Sequence, residues 1–299
     1  MLDYFTHKFD AENFTLVMTL LVKNEADIIE INIRTHAKLG VDAFIVMDNG
    51  STDGTREILS TLETEFNMII IDEPSTHYKQ REWVTKMDKL AKKKFDADWV
   101  INNDADEIWV PKNNSNLKDH LKFKGGVILI QETNMIPSKE SLENESAFYN
   151  FDHEVINPII YNDYSHEYVS NVLAKAGPKA IVNPHGLFHV NNGNHSAEHI
   201  ALWKKRKLDT IHIYQYPIRS LKKFKDNVEM YQKIIKIAPN AKIGKHWHRW
   251  VKQYKNGKIE EEYLRFVFND TELTTFKRIG MVEKNEIPKL LLKKVNDDS

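Results

Sequence analysis

The chain has 299 residues, 41% hydrophobic and 28% charged, with a net charge of −1, which is the composition of an ordinary globular protein. It has no cysteine, so disulfides and thiolate metal sites are excluded. No apolar stretch approaches the roughly 20 residues that a membrane-spanning helix needs. The first residues lack the basic head and the apolar segment of a signal peptide. We therefore expect a cytoplasmic protein, or one at the inner face of the cell membrane.

The first half of the chain alternates apolar runs with helical patterns. Short apolar runs predict strands, and apolar residues spaced four apart predict helices. The strands are expected over Leu16–Val22, Ala43–Met47, Met68–Ile71 and Trp99–Asn102, and the helices over Ala26–Leu39, Thr55–Leu62 and His77–Phe95. This βαβαβαβ order predicts an α/β fold with a mostly parallel sheet and helices on both faces.

The rhythm changes after Pro111. We expect a strand over Gly126–Thr133, a polar irregular loop over residues 134–166, and mainly helix from about Ser196. The sequence therefore predicts an α/β catalytic domain over residues 1–195 and a helical, basic C-terminal region over residues 196–299 that packs on it.

The C-terminal region carries an uneven charge. Between Ile200 and Lys258 there are 16 Lys and Arg side chains against three acids. Such an excess indicates an anionic partner, which would be a phosphate-rich substrate, an anionic lipid surface or a nucleic acid; the alternative is a solvated basic helix face. Peripheral membrane contact through this region is one expectation.

Acidic side chains follow three of the predicted parallel strands. Glu25 follows the first strand, Asp48 and Asp53 follow the second, and Asp104 and Asp106 follow the fourth. In open α/β sheets the carboxyl ends of the strands share one edge, where ligands bind. Glu25 and Asp48 are suited to accept hydrogen bonds from the base or ribose of a nucleotide. Taken alone, the Asp48–Asp53 segment is equally well explained as a turn with a helix cap.

The sequence Asp104-Ala105-Asp106-Glu107 places three carboxylates close together. Their mutual repulsion is costly unless a cation lies among them. Hard oxygen ligands of this kind suit Mg²⁺ or Mn²⁺ shared with substrate phosphates. A solvated acidic turn is the alternative for an isolated Asp-x-Asp.

Three segments together resemble glycosyltransferase family 2, and within it the bacterial Lys-Asn-Glu branch, over residues 15–112 and more thinly beyond. They are Val22-Lys23-Asn24-Glu25, the run from Val46 to Thr55, and the run from Asp98 to Glu107. The resemblance implies a GT-A fold and transfer of a sugar from a nucleotide-diphosphate donor, expected to be a UDP-sugar. It also implies inversion and a saccharide or lipid-linked saccharide acceptor, in bacterial surface polysaccharide synthesis.

The same resemblance implies roles for individual residues. Glu25, Asp48 and Asp53 would hold the nucleoside, and Asp104 would contact both the donor and a divalent metal, with Asp106 as a second metal ligand. Family members place an arginine near the diphosphate, a role for which Arg81 or Gln80 is available here.

The catalytic base and the third metal ligand are less well specified by the pattern. Inverting transfer needs a carboxylate to accept the acceptor's proton. Glu154 is our first choice, with Glu167 and Glu198 as alternatives. GT-A enzymes often add a distal histidine to the metal, which would favour Mn²⁺ over Mg²⁺. His195 is our first choice, followed by His189 and His212, although a lone histidine is more often a surface or core residue.

Two other functions compete with glycosyl transfer. A sugar-nucleotide pyrophosphorylase should carry a Gly-rich phosphate loop after its first strand, whereas this chain has Lys23-Asn24-Glu25. A non-catalytic nucleic-acid-binding protein would use the basic C-terminal region, but no RNP, helix-turn-helix or zinc-finger pattern is present. We therefore expect no nucleic-acid partner.

Overall fold

The computed structural model describes residues 3–75, 79–160, 170–237 and 244–298. Its strands are β1 (Leu16–Val22), β2 (Ala43–Asp48), β3 (Met68–Asp72), β4 (Trp99–Asn103), β5 (Glu107–Pro111), β6 (Val127–Asn134), β7 (His153–Val155), β8 (Pro178–Val182), β9 (Leu187–Val190), β10 (Ala197–His199), β11 (Lys205–Lys207), β12 (Ile211–Gln215) and β13 (Val282–Lys284). Its α-helices are α1 (Asp3–Thr6), α2 (Ile29–Lys38), α3 (Thr55–Leu62), α4 (Gln80–Phe95), α5 (Leu221–Ile237), α6 (Lys245–Lys255), α7 (Ile259–Leu264), α8 (Asp270–Arg278) and α9 (Ile287–Asp297).

Most of the strands belong to one large sheet. Within the described residues its order is β3-β2-β1-β4-β8-β6-β12-β5, and β11 lies beside β6. Strands β1 to β4 pair in parallel, whereas β8 is antiparallel to both β4 and β6. The predicted α/β class, with its parallel first half, is confirmed, and α-helices predominate from Leu221 onward.

Burial explains why the first strands read as continuous apolar runs. In β1 and β2 every residue except Leu21 is buried, as expected of parallel strands covered on both faces. Helix α4 packs against them through Trp83 and Met87. Helix α2 is amphipathic, and its residues Ile29 and Ile33 are fully buried. It ends at Lys38, and Gly40 follows two residues later with a φ of +97°, which permits the left-handed turn that leads back into β2.

The chain divides into two compact units that alternate along the sequence. The first unit comprises residues 1–132, 177–214 and 298–299, and the second comprises residues 133–176 and 215–297. The chain passes between them four times: within β6, between Ala176 and Gly177, within β12, and after Asp297. The predicted domain boundary at residues 195 and 196 falls inside the first unit, and that division of the chain stays a prediction.

The second unit has its own apolar core, built largely from its helices. Phe224 and Val228 of α5 are buried in it, as are Trp250 of α6 and Tyr263 of α7. The buried ion pair between Arg249 and Glu262, at 2.6 Å, ties α6 to α7. Within the described residues, no helix combines the length and hydrophobicity required to cross a lipid bilayer.

Candidate functional site

The carboxyl ends of β1, β2 and β4 lie side by side in the first unit. Val22 is in register with Asp48, and Leu20 is in register with Asn103. Because neighbouring strands are about 4.8 Å apart, the chain after β2 and the chain after β4 are separated by roughly 10 Å, with the end of β1 between them. The residues that follow these strands, including Glu25 and Asp104, therefore start from one edge of the sheet.

The loops after β1 and β2 are joined by hydrogen bonds. The Asn24 amide donates to Ser51 Oγ at 2.8 Å, and Asn24 Oδ1 accepts from the Thr52 amide at 2.8 Å. The Glu25 amide donates to Thr55 Oγ1, also at 2.8 Å. Asn24 adopts a φ of +56°, a conformation that asparagine tolerates better than most residues. The two loops therefore form a single ordered surface.

Asp48 and Asp53 are the carboxylates that hold this surface together. Asp48 is only 4% exposed and accepts hydrogen bonds from the Ser51 amide at 3.1 Å and from Ser51 Oγ at 2.5 Å. Asp53 is exposed and accepts from the Thr55 amide and the Ala26 amide, both at 3.1 Å. Each carboxylate thus has a structural role in the loops that the sequence associates with a nucleoside.

Asp104 lies at the end of β4 and contacts two partners from the later part of the first unit. Asn194 Nδ2 donates to Asp104 Oδ1 at 3.1 Å, and the Lys179 ammonium pairs with Asp104 Oδ2. The Asp104 side chain remains 28% exposed, so a ligand can still reach it.

Lys179 is the centre of a buried charge cluster that the sequence analysis missed. Its side chain is 3% exposed and lies 2.7 Å from Glu107 Oε1 and 3.9 Å from Glu132 Oε2, in addition to its contact with Asp104. The sequence offers one signal for this cluster: a lysine stands in the otherwise apolar run Pro178–Val182, which forms a buried strand.

The cluster has strongly perturbed protonation. Burial raises the pKa of Glu107 well above its usual value and that of Glu132 to about 7, although attraction to Lys179 opposes both shifts. Burial alone would lower the pKa of Lys179, but the carboxylates of Asp104, Glu107 and Glu132 outweigh it and raise that pKa. The Lys179 ammonium therefore stays charged, whereas both glutamates bind a proton more readily than an exposed glutamate does.

The loop around Asn194 connects Asp104 to the start of α4. Gln80 Oε1 accepts a hydrogen bond from the Gly193 amide at 2.9 Å, and the exposed His195 is hydrogen-bonded through Nδ1 to the Pro178 carbonyl at 2.9 Å. Arg81 is exposed on α4 and lies 2.7 Å from His189 Nε2. These predicted residues are thus gathered on the same side of the first unit as Asp104.

The sequence model of glycosyltransferase family 92 matches residues 17–275. The chain belongs to glycosyltransferase family 92. The predicted glycosyltransferase activity is thereby confirmed, and neither the pyrophosphorylase nor the nucleic-acid alternative is retained. The narrower likeness to family 2 and its Lys-Asn-Glu branch stays a prediction.

Two solved structures show distant similarity to this family 92 chain. S. aureus TarS 1-349 in complex with UDP-GlcNAc is 12% identical, with a TM-score of 0.42 over 85% of this chain and 74% of that chain. Glucosyl-3-phosphoglycerate synthase from Mycobacterium tuberculosis, in complex with Mn²⁺, UDP and glucosyl-3-phosphoglycerate, is 22% identical, with a TM-score of 0.29 over 40% of this chain and 44% of that chain. No protein with curated annotation matches the chain.

The described residues of this glycosyltransferase contain no group of three or more His, Cys, Asp or Glu side chains arranged to hold a metal ion. Asp104, Asp106 and His195 therefore do not form a ready-made three-ligand site. A magnesium-type ion that is shared with substrate phosphates needs only one or two protein carboxylates. Asp104 and Asp106 are both partly exposed at the strand end, so they fit a site of that shared kind.

Glu154, the predicted base, lies in the second unit. It is 7% exposed, stands opposite Glu283 in the β7–β13 pair, and accepts a hydrogen bond from Asn285 Nδ2 at 2.6 Å. Burial, with a contribution from Glu283, raises its pKa. The alternative Glu198 belongs to the first unit, 3.3 Å from His189, while Glu167 falls outside the described residues.

Proposed function

We propose that this glycosyltransferase transfers a sugar from a UDP-sugar to a saccharide or lipid-linked saccharide, with inversion, in the synthesis of a bacterial surface polysaccharide. The observation that carries the proposal is the shared edge of β1, β2 and β4. There, the joined loops of Glu25 and Asp48 lie next to the Asp104 turn in a chain of family 92.

The donor is proposed to lie along this edge, in the manner of the GT-A fold. The nucleoside would contact Glu25, Asp48 and Asp53, because these residues form or support the ordered loops after β1 and β2. The diphosphate would lie toward Asp104, roughly two strand spacings away. Arg81 is proposed to add positive charge near the diphosphate.

Asp104 and Asp106 are the residues proposed to hold Mn²⁺ or Mg²⁺, with His195 as a further ligand. When bound, such an ion would neutralise the charge that develops on the departing diphosphate. Lys179 already offsets the negative charge of Asp104 through Oδ2, and Asn194 donates a hydrogen bond to Asp104 Oδ1. The protein alone should therefore attract a divalent cation only weakly, and the donor phosphates should strengthen its binding.

The sugar is expected to pass through an oxocarbenium-like transition state, as in glycoside hydrolysis. Glu154 is proposed to accept the proton of the acceptor hydroxyl, since its raised pKa favours proton uptake near neutral pH. Peripheral contact of the basic C-terminal region with anionic lipid also stays a proposal.

Thermal unfolding with UDP, Mn²⁺, and both together tests the proposed donor site. Ligands that bind the folded state raise the melting temperature by mass action. We expect little change with Mn²⁺ alone and a clear rise with both, and Asp104→Asn should abolish that rise. Equal stabilisation of Asp104→Asn and wild type by the mixture would refute the assignment of this edge to the donor.

A further inference from the structure

We propose that Asn32 is the positioning residue for the Asp104–Asp106 turn, and that this amide sets the direction of the two carboxylates on which the proposed function rests. Asn32 lies on α2 and is fully buried. Its Nδ2 donates to the carbonyl oxygen of Ala105 at 2.8 Å and to that of Glu107 at 2.9 Å. One side chain from a distant element thus holds two peptide groups of the turn.

The orientation of the Asn32 amide is determined by its other partners. Its Oδ1 accepts from Asn103 Nδ2 at 3.1 Å and lies 2.9 Å from His36 Nδ1. The Trp109 amide donates to His36 Nε2 at 3.0 Å, so the proton of this neutral imidazole is on Nδ1, where the backbone carbonyl oxygen of Asn32, at 2.8 Å, and its Oδ1 share it. Both Nδ2 hydrogens are therefore directed at the turn.

The surroundings of Asn32 favour a specific role over simple core filling. Its helix neighbours Ile29 and Ile33 are buried apolar residues, and an apolar side chain would fill position 32 without the cost of burying an amide. A fully bonded amide in such a place restricts the conformations of the groups that it joins.

The bonded carbonyls lie between and beside the two carboxylates. Ala105 separates Asp104 from Asp106, and Glu107 follows directly, with its amide donating to the Asp104 carbonyl at 3.1 Å. Rotation of either peptide plane would redirect at least one carboxylate. Sites that bind charged ligands lose affinity when their groups shift by about 1 Å, so the Asn32 bonds should determine donor affinity.

The variant Asn32→Ala tests this role, with Ile33→Ala as the matched control. Ile33 is fully buried at the next position of α2, so its truncation should also lower stability while it leaves the Asn32 bonds in place. We would measure the dissociation constant for UDP with Mn²⁺ by calorimetry, and the free energy of unfolding in urea. We expect the dissociation constant for UDP to rise at least tenfold in Asn32→Ala and to change less than twofold in Ile33→Ala.

Hydrogen exchange of the peptide that covers residues 103–109, without ligand, provides a readout that does not depend on the proposed function. Exchange should be faster in Asn32→Ala than in Ile33→Ala, because only the former loses the bonds to the turn. If wild type failed to bind UDP, the proposed function would fall, and this exchange comparison alone would decide the role of Asn32.

Asn32→Leu serves if Asn32→Ala does not fold, since it keeps a similar volume in this buried position and loses both N–H donors. The positioning role would be overturned by any of three results. These are a UDP affinity within twofold of wild type in the Asn32 variant, an equal loss of affinity in Ile33→Ala, or unchanged exchange of the turn.

Discussion

Lys179 and Asp104 form an ion pair at the end of β4, and the same ammonium lies 2.7 Å from the fully buried Glu107. The buried ammonium of Lys179 therefore supplies a fixed positive charge on one side of Asp104. The proposed donor phosphates would meet Asp104 only on its exposed side.

Lys179→Met should destabilise the first unit severely. The substitution removes the one cation that lies among the carboxyl groups of Asp104, Glu107 and Glu132, and removing one partner of a buried ion pair costs about 3–5 kcal/mol. The free energy of unfolding in urea measures this loss. Lys179→Met combined with Glu107→Gln should recover part of the stability, because the neutral amide needs no counter-charge. If the double variant were no more stable than the single one, the ion pair would not be the cause.

Asp104→Asn and Asp106→Asn should each abolish metal-dependent sugar transfer from UDP-sugars while the protein remains folded. Both replacements keep the shape of the side chain and remove the charge that a cation needs. Asp96→Asn is the matched control, since Asp96 is exposed near the opposite end of β4 and should leave transfer unchanged. Transfer at the wild-type rate by both strand-end variants would contradict the assignment of the metal-binding carboxylates.

The parallel half of the fold was predictable because its signals are local. The strand Leu16–Val22 and the helix Thr55–Leu62 have the predicted bounds, since continuous apolar runs and helical spacing are written into adjacent residues. The sharing of one sheet edge by Glu25, Asp48 and Asp104 followed from parallel topology alone.

The contacts of Asp104 were not predictable in the same way. Lys179 and Asn194 reach it from residues 75 and 90 positions later in the chain, and their arrival depends on the antiparallel pairing of β8 with β4. Asn32 reads as one polar residue in an amphipathic helix, and its role is visible only when the turn after β4 is placed against it. Pairing between distant segments leaves little trace in a single sequence.

Acid should weaken the fold through His36. Burial lowers the pKa of this imidazole to about 3, whereas its value in the unfolded chain is about 6.5. The unfolded state therefore binds more protons below pH 6.5, and the contribution of neutral His36 to stability is lost as the pH falls. Between pH 6.5 and 5 the loss from this group should be about 2 kcal/mol.

Urea unfolding of wild type and His36→Gln at pH 7, 6 and 5 measures this contribution. The variant should be less stable at pH 7, since the Trp109 amide loses its acceptor, and should depend less steeply on pH. Parallel pH profiles of the two proteins would show that His36 is not the titrating group.

Glu154→Gln should lower turnover by roughly 10²-fold or more with little change in affinity for UDP, as expected for loss of a general base. Glu283→Gln is the matched control, because Glu283 stands opposite Glu154 across the β7–β13 pair and is exposed. It should retain turnover within a few-fold of wild type, because Glu283 is not the proposed base. If the loss in Glu154→Gln came only from disturbance of the β7–β13 pair, Glu283→Gln would lose turnover to a similar degree. The turnover number and the UDP dissociation constant, measured separately for all three proteins, distinguish loss of chemistry from loss of binding. Unchanged turnover in Glu154→Gln would transfer the role of base to Glu198 or Glu167, and that result would leave the donor site at Asp104 untouched.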